Sequence, residues 1–235
     1  FGLARFAPQA AGGRWPTPVL FVPGNHEYDA QDFDEAHQRL RNTCERLGIA
    51  WLERETLVLA GLRSVGTTLW SDFDALAEHE GTEDLTRQLR LRDKAYRAAN
   101  FYLRKTGGTR HGEPFLAEPM REQALACQQW LRSALETPFD GPTVAVTHFA
   151  PSLLSADPRY GLVPGTAGFC NALDGLLPHA QLWLHGHLHA PSDYTVRCTH
   201  AATGQPWQCR VVANPLGYAR KGEQATFQPR LCITV

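Results

Sequence analysis

The segment Gln181-Leu182-Trp183-Leu184-His185-Gly186-His187-Leu188-His189 decides the fold. A compact apolar run that ends in a loop of histidines and one glycine reads as a short buried strand finishing in polar chemistry. Two earlier stretches repeat the arrangement. Thr143-Val144-Ala145-Val146-Thr147 finishes on His148, and the apolar run of residues 17–22 closes at Pro23-Gly24 before Asn25, His26 and Glu27. Because open α/β sheets bind ligands beyond their strand ends, the three loops are expected to share one sheet rim.

Neutral imidazoles and a carboxamide oxygen, with no cysteine among them, form a donor set suited to manganese, iron or zinc rather than to a thiolate-bound structural zinc. His187 and His189, two apart on a loop, can face different metals. Each signal alone is weak, since a lone histidine at a strand end is more often a hydrogen-bonded structural residue. The three together, in this order and each after an apolar strand, are a combination that packing does not require.

The order Gly24-Asn25-His26-Glu27, then Thr147-His148, then His185-Gly186-His187-Leu188-His189 resembles the calcineurin-like metallophosphoesterases. Residues 66–73 (GTTLWSDF), 147–152 (THFAPS) and 214–218 (NPLGY) resemble a bacterial branch of that family. The resemblance implies an α/β fold in which two packed mixed β-sheets are flanked by helices, a four-layer sandwich, with a dinuclear metal centre at the strand ends. It implies Asn25, His148 and His187 as ligands of one divalent metal ion, manganese, iron or zinc, and His189 as a ligand of the other. His26 is implied as the acid beside the scissile phosphate. Family members also carry an Asp-x-His strand and a Gly-Asp-x-x-Asp loop, and neither occurs in these 235 residues. The chain is therefore expected to be a single metallophosphoesterase domain over 1–235, truncated at its N-terminus and missing its first strands, with a helical cap-like segment over about 73–136. Such a fragment is expected to be inactive even where its parent is active.

The implied chemistry is phosphoester hydrolysis. A metal pair about 3.5–4 Å apart binds phosphate oxygens, and the hydroxide bridging it attacks phosphorus. His26 protonates the departing oxygen, a contribution of roughly 10²–10⁴-fold. Monoesters and diesters both fit. The absent ligands motivate a rival reading as a non-catalytic scaffold, and the charge pattern motivates another as a nuclease. Residues 72–84 hold six acidic residues and no Lys or Arg, whereas residues 85–110 hold eight basic residues and one acid, Asp93. The preferred reading is a solvated helix face balanced by its acidic neighbour; the other is a basic wall gripping an anionic substrate or nucleic acid.

Glu27 is read as orienting the site rather than reacting, and His185 as capping its strand. His37, His79, His111, His179 and His200 are read as solvent-facing or locally bonded. Residues 214–218 are expected to turn the chain at a strand end, near the metals but not as ligands.

The remaining chain supports one mixed α/β domain. Ala36, Leu40, Cys44 and Leu47 step at helical spacing toward Gly48, Leu91, Ala95, Ala98 and Tyr102 do so in the basic segment, and Met120 to Leu135 do so after Pro119. Residues 56–59 and 63–67 around Ala60-Gly61 predict a hairpin. Residues 194–198, 208–213 and 231–235 predict further strands.

A formal charge of −1 calls for no polyanionic partner, and 43% hydrophobic residues suffice for a sizeable core. The six cysteines form no C-x-x-C pair or dense framework, so they are read as reduced thiols of a cytoplasmic protein. No apolar stretch reaches the ~18–20 residues of a spanning helix. A phosphoester substrate is the expected partner, no membrane is, and oligomeric state is left open.

Overall fold

A computed structural model describes residues 2–200 and 203–235. The first regular unit is a strand, helix and parallel strand: β1 (Leu20–Phe21), α1 (Phe33–Leu47) and β2 (Ala50–Trp51), with Leu20 opposite Ala50 and Phe21 opposite Trp51. Asp32 caps α1 by accepting from the Asp34 and Glu35 amides, and Gly48 ends it at φ +67°, the left-handed conformation that a residue without a Cβ adopts at least cost. The helix buries Phe33, Ala36, Leu40 and Cys44, the stripe expected from the spacing.

The predicted hairpin forms from β3 (Glu55–Leu59) and β4 (Leu62–Thr67). After it come α2 (Ala75–Glu80), α3 (Leu85–Thr106), the small hairpin β5 (Thr109–Arg110) and β6 (Glu113–Pro114), and α4 (Ala117–Glu136). The chain then returns through β7 (Thr143–Thr147), β8 (Leu182–His185), β9 (Ser192–Thr199) and β10 (Pro206–Ala213). These strands and the first hairpin make a six-stranded sheet in the order β3-β4-β7-β8-β10-β9, parallel through its four central strands and antiparallel at both edges.

The expected mixed α/β architecture is present, with the six-stranded sheet joined by smaller two-stranded sheets. Val65 of β4 and Ala145 of β7 share one apolar core with Ala95 of α3 and with Met120, Ala124, Cys127 and Leu131 of α4. Gly66 lets the smaller β1-β2 sheet approach, because a Cβ there would stand 2.3 Å from the Leu52 side chain.

The register fixes the functional rim. Thr67 pairs with Thr147, and Thr147 with His185, so β4, β7 and β8 end level with one another. Beyond those ends the Phe149 amide donates to the Thr68 carbonyl at 3.1 Å and the Gly186 amide to the His148 carbonyl at 3.1 Å. Thr68 also donates its hydroxyl to the Pro23 carbonyl at 2.9 Å, which draws the loop after β1 to the same rim.

One expected strand is absent. Residues 231–235 form no ladder; Leu231 and Ile233 instead pack on the small cluster of Val144, Leu182 and Val212, so their alternation records burial without pairing. The acidic and basic segments partly neutralise each other. Asp74, just before α2, accepts both donors of the Arg92 fork at 2.6 and 2.9 Å and a third bond from Arg121 at 2.6 Å, while Arg87 pairs with Glu80 and Arg97 with Asp93. All six cysteines are free thiols, and among the described residues no helix is long and apolar enough to cross a membrane.

Candidate functional site

Asn25, His148 and His187 meet, although they come from three different loops. The Asn25 carboxamide Oδ1 lies 2.9 Å from Nε2 of His148 and 3.1 Å from Nδ1 of His187. Asn25 opens a short 3-10 turn, Asn25–Tyr28, which Glu27 closes by accepting the Gly24 amide at 2.7 Å. Glu27 thus shapes the loop, as its sequence context suggested, and burial raises its pKa. Gly24 is required by close approach: a Cβ there would stand 2.6 Å from Cε1 of His148.

His187 stacks against two aromatic rings, Phe149 at 4.0 Å and Phe169 at 5.0 Å between centroids. Its backbone has φ +61°, and the Leu188 amide closes a three-residue turn onto the Gly186 carbonyl at 2.7 Å. A non-glycine residue in this conformation is strained by about 1–3 kcal/mol, which the surrounding packing must offset. Nε2 of His187 is buried beside the Gly168 backbone and makes no hydrogen bond of normal geometry, which leaves Nδ1 as the nitrogen turned toward Asn25.

Burial pulls His148 down to about 3, with His26, His185 and His189 adding to the effect, and pulls His187 well below the ordinary histidine value. Both rings are therefore neutral at physiological pH and present lone pairs.

The donors fit a cation. Ligands about 2.1 Å from a common ion and at right angles are about 3 Å apart, the spacing that Asn25 keeps to each histidine. Among the described residues no three His, Cys, Asp or Glu side chains gather as a cation site, so the Asn25 oxygen is what completes the set. His189 stands on the same loop, its Nδ1 2.7 Å from Oε2 of Glu223. That bond fixes the ring and leaves Nε2 as the nitrogen that could face a cation.

His26 is half exposed and fully partnered. Its Nδ1 bonds Asp29 Oδ2 at 2.7 Å and its Nε2 bonds the Tyr218 hydroxyl at 3.1 Å. The Tyr218 ring stands edge-on to His189 at 4.6 Å, and its amide donates to Glu223 Oε2 at 2.8 Å. The segment after β10 thus reaches both His26 and His189, and Asn214 pins it by bonding the Gln228 backbone in both directions.

Sequence reasoning singled out none of Asp29, Tyr218 and Glu223 as partners of the site histidines. Asp29 was detectable as a carboxylate three residues beyond His26; nothing local marks Glu223. His185 takes the structural place expected of it. Its Nδ1 faces the Gly186 carbonyl at 3.1 Å, and its Nε2 meets the buried Ser155 hydroxyl, which Tyr194 bonds in turn. Burial lowers His185 to about 4. His37, read as locally bonded, meets the Tyr28 hydroxyl at 3.1 Å.

The model of the calcineurin-like phosphoesterases matches residues 2–191. The crystal structure of a phosphopantetheinyl hydrolase from Mycobacterium tuberculosis superposes with a TM-score of 0.57 at 22% identity, covering 92% of this chain and 74% of that one. At that identity the likeness shows the fold, with its mixed sheet, smaller sheets and flanking helices. No curated protein matches the chain. From a family match that spans all three histidine-bearing loops, we conclude that the chain belongs to the calcineurin-like phosphoesterases.

Proposed function

We propose that the protein is a metal-dependent hydrolase of phosphoesters in which Asn25, His148 and His187 hold one divalent ion, His189 serves a second, and His26 is the general acid. The observation that carries this reading is the meeting of Asn25 Oδ1 with one nitrogen from each of His148 and His187, at 2.9 and 3.1 Å.

Divalent ions bound there supply Lewis acidity toward phosphoryl oxygens and acidify water. The chain's own residues do the rest. Phe149 and Phe169 hold the His187 ring so that Nδ1 keeps its aim. Glu223 orients His189. Asp29 bonds Nδ1 of His26 and orients the ring, so that a proton carried on Nε2 can pass to the ester oxygen as the P–O bond breaks.

The test is to strip the full-length protein of metal, reload it with manganese, iron or zinc, and assay matched aryl phosphate monoesters and diesters. Hydrolysis that returns with metal, together with bound metal lost in His148→Ala, supports the reading. Retained metal and no turnover of either ester class would favour a binding scaffold.

A further inference from the structure

The turn Tyr218–Lys221 brings a phenol to His26 and carries two cations beside that phenol, none of them used by the hydrolysis described above. The Tyr218 hydroxyl bonds the nitrogen from which His26 would release its proton, so it marks the place a leaving-group oxygen takes. Lys221 Nζ is 5.1 Å from the centroid of the Tyr218 ring, and Arg220 Cζ is 5.5 Å from it. Both side chains are exposed, and among the described residues neither makes a close ion pair, although the charge of Lys221 reaches the Glu223 carboxylate. That acid, Glu223, also bonds His189 and accepts the Tyr218 amide.

An ester bound beside the ion held by Asn25, His148 and His187, with its departing oxygen at His26, directs the leaving group toward Tyr218. Beside the phenol, on the same turn, stand two positive charges that no ion pair closes among the described residues. Those charges attract an anion and give a neutral group nothing.

We propose that Tyr218, Arg220 and Lys221 form a leaving-group subsite that selects phosphoesters whose leaving group carries its own anionic group, a carboxylate or a further phosphate. The inference deepens the hydrolase reading and rests on His26 facing the leaving group.

Non-hydrolysable analogues test the subsite without turnover. Benzylphosphonate, 4-carboxybenzylphosphonate and 4-(phosphonomethyl)benzylphosphonate are titrated calorimetrically into metal-loaded protein at low salt. The two analogues with a second anion are expected to bind about five- to tenfold more tightly than benzylphosphonate, as two exposed ion pairs allow. The preference is expected to fade as ionic strength rises. In the Arg220→Ala/Lys221→Ala double variant all three analogues bind alike, and Lys221→Glu reverses the order. Equal affinities in the wild type, or a preference that survives the double variant, overturn the proposal. A preference with no hydrolysis of either 4-nitrophenyl phosphate or bis(4-nitrophenyl) phosphate by the same sample supports the anion subsite and strikes instead at the hydrolase reading.

Discussion

The Asn25 carboxamide oxygen lies 2.9 Å from Nε2 of His148, a residue 123 positions further along the chain. Asn25 comes from the loop after β1 and His148 from the end of β7, in different sheets, so their contact is a property of the whole fold.

Removing a ligand and removing the acid should separate. His148→Ala or His187→Ala is expected to deplete bound metal, because each supplies one of three convergent donors. His26→Ala is expected to keep its metal and to lose roughly 10²–10⁴-fold in kcat. Elemental analysis beside steady-state kinetics checks both; equal metal loss in all three variants refutes the division of roles.

Glu223 acts on His189 from the far end of the chain. Glu223→Gln keeps an acceptor for the Tyr218 amide but removes the charge beside the imidazole. Metal affinity is expected to fall about 10–100-fold, the usual effect of losing a carboxylate behind a ligating histidine. A competition titration with a chelator measures it, and unchanged affinity would place His189 outside the metal site.

Gly24→Ala tests the closeness of the two loops. The added methyl would stand 2.6 Å from the His148 ring, so either the ring or the loop must move. Destabilisation of about 1–3 kcal/mol, seen as a lower Tm, is expected together with weaker metal binding.

His37 supplies acid sensitivity away from the metal donors. Burial lowers its pKa below the ordinary 6.5, and Tyr28 bonds the ring at Nδ1. The unfolded chain binds a proton more readily than the folded one does, so this contribution to stability is complete above about pH 6.5 and is lost as pH falls toward the folded value. His37→Gln should flatten the loss of denaturation free energy between pH 7.5 and 5; an unchanged slope would show that His37 does not contribute.

What the sequence made legible were the features encoded locally. The strand ends at Thr147 and His185 follow from compact apolar runs, and the α1 stripe from 3.6-residue spacing closed by Gly48. The partners of the site histidines were less accessible. Tyr218 meets His26 across 192 residues, and Glu223 meets His189 across 34, contacts that no periodicity announces. The misread strand at 231–235 has a similar cause, because a segment lying on an apolar cluster alternates much as a ladder strand does.

The level ends of β4, β7 and β8 also bear on how the protein folds. A donor set drawn from positions 25, 148 and 187 closes large loops of chain, and the entropy of closing them is spent before any donor meets another. A cation is therefore expected to bind late in refolding and to slow unfolding, acting as a latch on the finished topology.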